Sequence, residues 1–195
     1  GPAMLLIHQC NMDRHSWNDI SSSLVQAGVH VLTMDLRGFG DSGGEPLSSS
    51  GFQNLMMKSP ADLDMAYEYL TSQTGVDDSR VAVGGASCGA MLTADLASRH
   101  DGITTLMLLS GPPSEAAIAH IASTPELGVF AAAATGDTVT PGVSDALQGA
   151  VDGSKHPKSM AKIYGGTEHG LPMFGKNPDL EPQLLDWLTA QLLSN

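Results

Sequence analysis

The sequence predicts an α/β fold: a doubly wound, mainly parallel sheet of about six strands with helices on both faces. Two observations carry that expectation. Short apolar runs, the mark of strands buried on both faces, alternate along the chain with longer stretches whose apolar residues recur at helical spacing. One of these runs, Val81-Ala82-Val83, passes through Gly84-Gly85-Ala86-Ser87-Cys88-Gly89 directly into a helical stretch. That stretch carries Ala90, Met91, Leu92, Ala94, Leu96 and Ala97, with no Gly or Pro until after Arg99.

A chain of 195 residues reads as one domain, residues 1–195, large enough to bury a core without staples. The formal net charge of -12 argues against nucleic acid or an anionic membrane as partner and for a solvated acidic surface. Two cysteines do not make a disulfide framework. No apolar run approaches transmembrane length, and the first residues lack the order of a signal peptide, so a cytoplasmic protein is expected. No His, Cys and Asp cluster has ligand spacing, so neither metal nor cofactor is expected.

Taken in order, Ala3–His8 is a buried strand that begins almost at the first residue. A helix over His15–Ala27 is closed by Gly28, and Val29–Met34 is the second strand. Asp35-Leu36-Arg37-Gly38-Phe39-Gly40-Asp41-Ser42 is a glycine-bearing turn in which Asp35 and Arg37 are expected to pair. Gly43–Lys58, rich in Gly, Ser and Met and without a period, reads as a surface loop. A helix follows, capped by Ser59 with Pro60 in its first turn, and stops near Gly75.

After the central strand and its helix, Ile103–Leu109 is a strand and Ser114–Ala122 a short helix behind Pro112-Pro113. Leu127–Ala134 is a strand thinned by four consecutive alanines, and it delivers the loop Thr135-Gly136-Asp137-Thr138-Val139-Thr140-Pro141. Ser159–Tyr164 is the last strand, followed by Gly165-Gly166-Thr167-Glu168-His169-Gly170. A closing helix over Asn177–Leu193 buries Leu180, Leu184, Leu185, Leu188 and Leu192.

Gly85-Ala86-Ser87-Cys88-Gly89 is a G-x-S-x-G nucleophile elbow, set where the motif demands it, between strand and helix. With this elbow, the Asp35–Ser42 turn and the Gly-x-x-His-Gly loop at 166–170, the chain resembles the α/β-hydrolase superfamily, nearest to its small serine esterases and dienelactone-hydrolase-like members. The resemblance implies a minimal fold without a cap domain, because Gly111–Leu127 holds only one short helix. It also implies that an antiparallel N-terminal hairpin found in relatives is missing. Strand 29–34 would then lie at the sheet edge, covered by another copy in a homo-oligomer or by a restored segment.

The same resemblance implies Ser87 as nucleophile, His169 as base and Asp137 as triad acid, with Glu168 the substitute acid. A frame moved by one residue would centre Cys88 instead, but the Arg80–Gly89 phrasing favours serine. Relatives build the oxyanion hole from the amides of the residue after the nucleophile, here Cys88, and of the residue two past the strand-end His, here Cys10. Gln9 departs from the pattern, which has glycine there, and His8 is read as structural. The two cysteines would lie close together as free thiols.

Candidate substrate-wall residues are Met12, Phe39, Ile118, Leu171, Met173 and Phe174. The expected function is a carboxylesterase acting on small, short-acyl esters through an acyl-enzyme. Lactone or dienelactone opening, thioester hydrolysis, peptidase and acyltransferase chemistry use the same triad, and a non-catalytic binding module is the alternative from another class.

Overall fold

The computed structural model describes residues 1–193. Strands β1 (Ala3–Ile7), β2 (His30–Met34), β3 (Val81–Ala86), β4 (Ile103–Leu109), β5 (Gly128–Ala134) and β6 (Met160–Tyr164) form one sheet in the order β2-β1-β3-β4-β5-β6. Every neighbouring pair runs parallel. The four inner strands carry the apolar runs because each presents both of its faces to a core, and all residues of β1, β3 and β5 are buried.

Alternation along β1 assigns the two faces. Ala3, Leu5 and Ile7 join one apolar cluster with residues of α3 (Phe52–Thr71), α4 (Cys88–Ala97), α5 (Glu115–Ser123) and α6 (Val143–Gly153). Met4 and Leu6 join the other, with Trp17 and residues of α1 (Asn18–Gln26) and α8 (Leu180–Leu193), and with Met173 of α7 (Pro172–Lys176). The sheet is therefore doubly wound, as expected. Strand β2 is at one edge and more exposed than the inner strands. Between β4 and β5 the only helix is α5, so no cap domain covers the carboxyl edge among the described residues.

Three local expectations are corrected. The stretch 43–58 is not a loop: α2 (Leu47–Ser50) and the first turns of α3 occupy it, and Pro60 lies inside α3 rather than in its first turn. Leu55, Ser59, Leu63, Tyr67 and Leu70 form the buried stripe of α3. A serine inside that stripe hides its period. Asp35 does not pair with Arg37. Its buried carboxylate takes the backbone N–H of Arg14 at 2.7 Å and of Asp41 at 3.0 Å and pairs with the Arg14 guanidinium, while Arg37 makes a bidentate bond to Asp62 of α3, 2.7 Å in each arm. Burial pushes the Asp35 carboxyl up, but these donors outweigh it and hold the group below the usual carboxylate range.

The turn between β3 and α4 is closely packed. A Cβ on Gly85 would lie 2.4 Å from the carbonyl carbon of Gly89, and one on Gly89 would lie 2.4 Å from the Ile7 carbonyl oxygen. Helix α4 thus rests directly on the end of β1, which is why both positions are glycine. Gly89→Ala is expected to lower the unfolding free energy by at least about 1–3 kcal/mol in a denaturant titration, since backbone rather than a flexible side chain must move.

Candidate active site

Three strand ends on the carboxyl edge converge. Ser87 follows β3 with φ 53° and ψ -123°, a strained backbone that lifts its side chain out of the turn. The loop after β5 brings Asp137, and the loop after β6 brings His169. His169 Nε2 lies 2.7 Å from Ser87 Oγ, and His169 Nδ1 lies 2.6 Å from Asp137 Oδ2. The Asp137 side chain is 1% exposed and that of His169 10%. The carboxylate is therefore closed off, while the imidazole keeps a small exposed area.

Hydrogen bonding assigns the imidazole tautomer. The other oxygen of Asp137, Oδ1, accepts the backbone N–H groups of Val139 and Thr140 at 2.9 Å each. A carboxylate so surrounded by donors acts as an acceptor toward His169 as well. Nδ1 then carries the proton, and Nε2 is left with a lone pair aimed at the Ser87 hydroxyl. Asp137 both orders its own turn and faces the imidazole. Glu168 is turned away: its Oε2 accepts from the backbone N–H of Thr167 at 3.1 Å, within its own loop.

Cys10 and Cys88 are not free thiols. They form a disulfide, with Cα atoms 5.9 Å apart, that joins the loop after β1 to the residue following Ser87. Proximity was legible in the sequence, but the expected reducing compartment was not a property of the residues themselves. Disulfides persist mainly in oxidising compartments, so the bond sits badly with a cytoplasmic expectation. Cys88 is the first residue of α4 and has no intrahelical acceptor for its N–H.

His8 is fully buried beneath this loop. Its Nδ1–H donates to the Gln9 carbonyl at 2.8 Å, its Nε2 accepts the Leu36 N–H at 2.9 Å, and Phe39 packs beside it with ring centroids 5.1 Å apart. That arrangement needs a neutral ring. Burial lowers the His8 pKa below its ordinary 6.5, against the smaller raising effects of the Gln9 carbonyl, Asp35 and Asp13.

A cleft of about 440 Å³ opens beside Ser87, lined by Gln9, Cys10, Asn11, Ser87, Val139, Thr167, His169 and Pro172. None of the six expected wall residues is among them. Met173 is fully buried, Leu171 and Phe174 pack on the core beneath α7, Phe39 packs against His8, Ile118 is an exposed residue of α5, and Met12 is half-buried outside the cleft. The six are large apolar residues near the motifs. The cleft is instead bordered by residues of the Ser87 turn and of the loops that carry Cys10, Asp137 and His169, and nearness in sequence to those residues was the available signal. Among the described residues no group of His, Cys, Asp and Glu could hold a metal ion, and no helix is long and apolar enough to cross a membrane.

Comparison with known proteins agrees with this architecture. The family described as serine aminopeptidase, S33, matches residues 2–163. An uncharacterised protein of Mycobacterium tuberculosis is 35% identical over 97 residues, half of this chain, and the chain spans only 32% of that relative. Among solved structures, an esterase of Pyrococcus furiosus superposes with a TM-score of 0.75 at 16% identity, over 98% of this chain and 83% of that one. A monoacylglycerol lipase of Paleococcus ferrophilus gives 0.71 at 15%, over 97% and 94%. At such identities the structures establish the fold alone.

Two measurements follow from the site. The disulfide closes a sequence separation of 78 residues, so the Cys10→Ala/Cys88→Ala variant is expected to lose roughly 3–5 kcal/mol of stability. Thiol titration of the denatured wild type should find no free thiol. For His8, the unfolded chain binds a proton below about pH 6.5 that the folded ring resists. Stability is therefore full above that pH and declines as pH falls toward the lowered folded value. The denaturant midpoint should drop between pH 7.5 and 5.5, and the drop should be smaller in His8→Asn.

Proposed function

We propose, from the premise that this chain belongs to the serine aminopeptidase S33 family of α/β hydrolases, that it is a carboxylesterase of small, short-acyl esters acting through an acyl-enzyme. The observation that carries the proposal is the unbroken series of short contacts from Asp137 through His169 to Ser87, 2.6 Å and then 2.7 Å. In this reading His169 Nε2 takes the Ser87 proton as Oγ attacks the acyl carbon. Asp137 holds the tautomer and stabilises the imidazolium, and the proton is then given to the departing alcohol. Water repeats the sequence in reverse roles to release the acid.

The developing oxyanion would face the N-terminus of α4, where the Cys88 N–H is free of the helix ladder, with the amide of Cys10, which also lines the cleft, as the second donor. No metal or cofactor is invoked in these steps. The proposed partner is the small-molecule ester itself, and the cleft volume falls in the usual range for such ligands.

The family description raises a second reading, cleavage of an N-terminal residue from a peptide. Recognition of a free α-ammonium calls for a carboxylate or several carbonyl acceptors at the mouth of the cleft. Among the lining residues there is no Asp or Glu, and Asp137 behind them is committed to His169, Val139 and Thr140. Ester hydrolysis is therefore favoured over aminopeptidase activity. Thioesters and lactones meet no such objection.

Covalent labelling by a fluorophosphonate is expected in the wild type and in Cys88→Ala and should vanish in Ser87→Ala. His169→Ala should lower kcat by on the order of 10⁴-fold or more. Across p-nitrophenyl esters of increasing acyl length, a thioester, a lactone and an aminoacyl p-nitroanilide, kcat/KM should be highest for the short esters. Folded wild type that neither labels nor turns over any of these would identify a binding module instead.

A further inference from the structure

The side chain of Gln9 is 3% exposed and bonded at both ends of its carboxamide. Its Oε1 accepts the backbone N–H of Leu171 at 2.9 Å, and its Nε2 donates to Asn11 Oδ1 at 2.7 Å. Leu171 is two residues beyond His169 and immediately precedes α7, which opens on Pro172. Its N–H lies ahead of the helix and has no intrahelical acceptor. Between them, Gly170 has φ +68°, and a Cβ there would lie 2.2 Å from Gln9 Oε1. The glycine makes room for the carboxamide, and the carboxamide supplies the acceptor that the loop needs.

The other end of the same loop is tied elsewhere. The Gly136 N–H donates to the Gly166 carbonyl at 2.9 Å, which fastens the loop to the one carrying Asp137. Without Gln9, His169 would be anchored upstream and by its own imidazole, while the chain just after it would keep the local bonds of its own turn, from the Met173 N–H to the Gly170 carbonyl at 3.1 Å and from the Phe174 N–H to the Leu171 carbonyl at 3.0 Å. With Gln9, a continuous path runs from Leu171 through one hydrogen bond to Gln9, along the chain to Cys10, and through the disulfide to Cys88, next to Ser87.

We propose that Gln9 is a positioning residue for His169, its carboxamide fixing the loop after the imidazole at a set distance from the nucleophile turn. This rests on the hydrolase reading above. The effect expected is on reaction rate rather than on substrate affinity, because the group held in place is the one that moves the proton. Displacement of a reacting group by even about 1 Å costs up to about 100-fold in rate.

Gln9→Met keeps the length and much of the volume of the side chain but neither accepts from Leu171 nor donates to Asn11. With p-nitrophenyl acetate it is expected to lower kcat about 10- to 100-fold while KM stays within about threefold, and to slow fluorophosphonate labelling by a similar factor. Gly170→Ala, which drives a methyl group into the carboxamide while leaving Gln9 in place, should give the same split and serves if Gln9→Met does not fold. Hydrogen exchange of the segment 165–172 should quicken in both. Wild-type kcat and wild-type exchange in Gln9→Met would reduce Gln9 to filler and overturn the proposal. A loss confined to KM would overturn it as well, by making Gln9 a substrate contact. If the wild type itself neither labels nor hydrolyses, the hydrolase reading fails, whereas unchanged exchange in Gln9→Met sinks the Gln9 tie alone.

Discussion

The backbone of Ser87 is held at a positive φ that costs a non-glycine residue about 1–3 kcal/mol, and the rest of the site depends on that strain being enforced. The enforcement is steric and mutual. Gly85 and Gly89 let strand and helix close to a distance at which no side chain fits, and Gly89 at the same time rests on the carbonyls of Ile7 and His8. The Ser87 N–H is fixed to the Leu109 carbonyl at 2.7 Å, so the neighbouring strand also holds the turn. Relaxing Ser87 would therefore require moving β1, β4 and α4 together, and the cost of the strained residue is spread over the core that all three elements share.

This packing also explains why the strands were readable and several surface features were not. An inner strand of a parallel sheet has no choice of face, so its composition alone marks it, and β4 was read with its observed bounds, Ile103–Leu109. Elements with one wet face leave a fainter record. The first turns of α3 were missed because Ser59, fully buried and with an Oγ that has no hydrogen-bond partner, occupies a core position of its stripe, and because Pro60 resembled a helix start. Charge pairing is hidden for a different reason. Nearness in sequence suggested Asp35 with Arg37, but a buried carboxylate at a strand end collects backbone donors first, and Arg14 brings both an N–H and a guanidinium.

The site divides along the same line. The convergence of Ser87, Asp137 and His169 was legible because each lies just past a strand, close to glycine and inside a motif of its own, whereas Ser110, which also follows a buried strand and precedes a glycine, lies in no such motif. The cleft walls were not, because walls are made by loop residues whose direction depends on tertiary placement. Size and apolarity picked out Met173 and Phe174, which serve the core under α7, while the cleft is bordered by Asn11, Thr167, Val139 and Pro172. The cysteines fall between these cases. Their adjacency follows from the fold, whereas their oxidation state depends on surroundings that a sequence does not encode.

The loop after β1 joins these threads. Three consecutive residues there reach three different parts of the molecule: the His8 ring accepts from Leu36 beyond β2, the Gln9 carboxamide accepts from Leu171 beyond β6, and Cys10 is bonded to Cys88 at the start of α4. Short loops are normally stiffened by turns within themselves, yet within residues 9–13 the backbone bond is that from Met12 to Gln9. Order in this loop is thus imported from outside. An open cleft without a cap offers little to immobilise a donor loop from above, so it must be held from below, and buried side-chain bonds do this without occupying the space in which a ligand would lie. The buried contacts of His8 and Gln9 are thus what allows the cleft beside Ser87 to stay open.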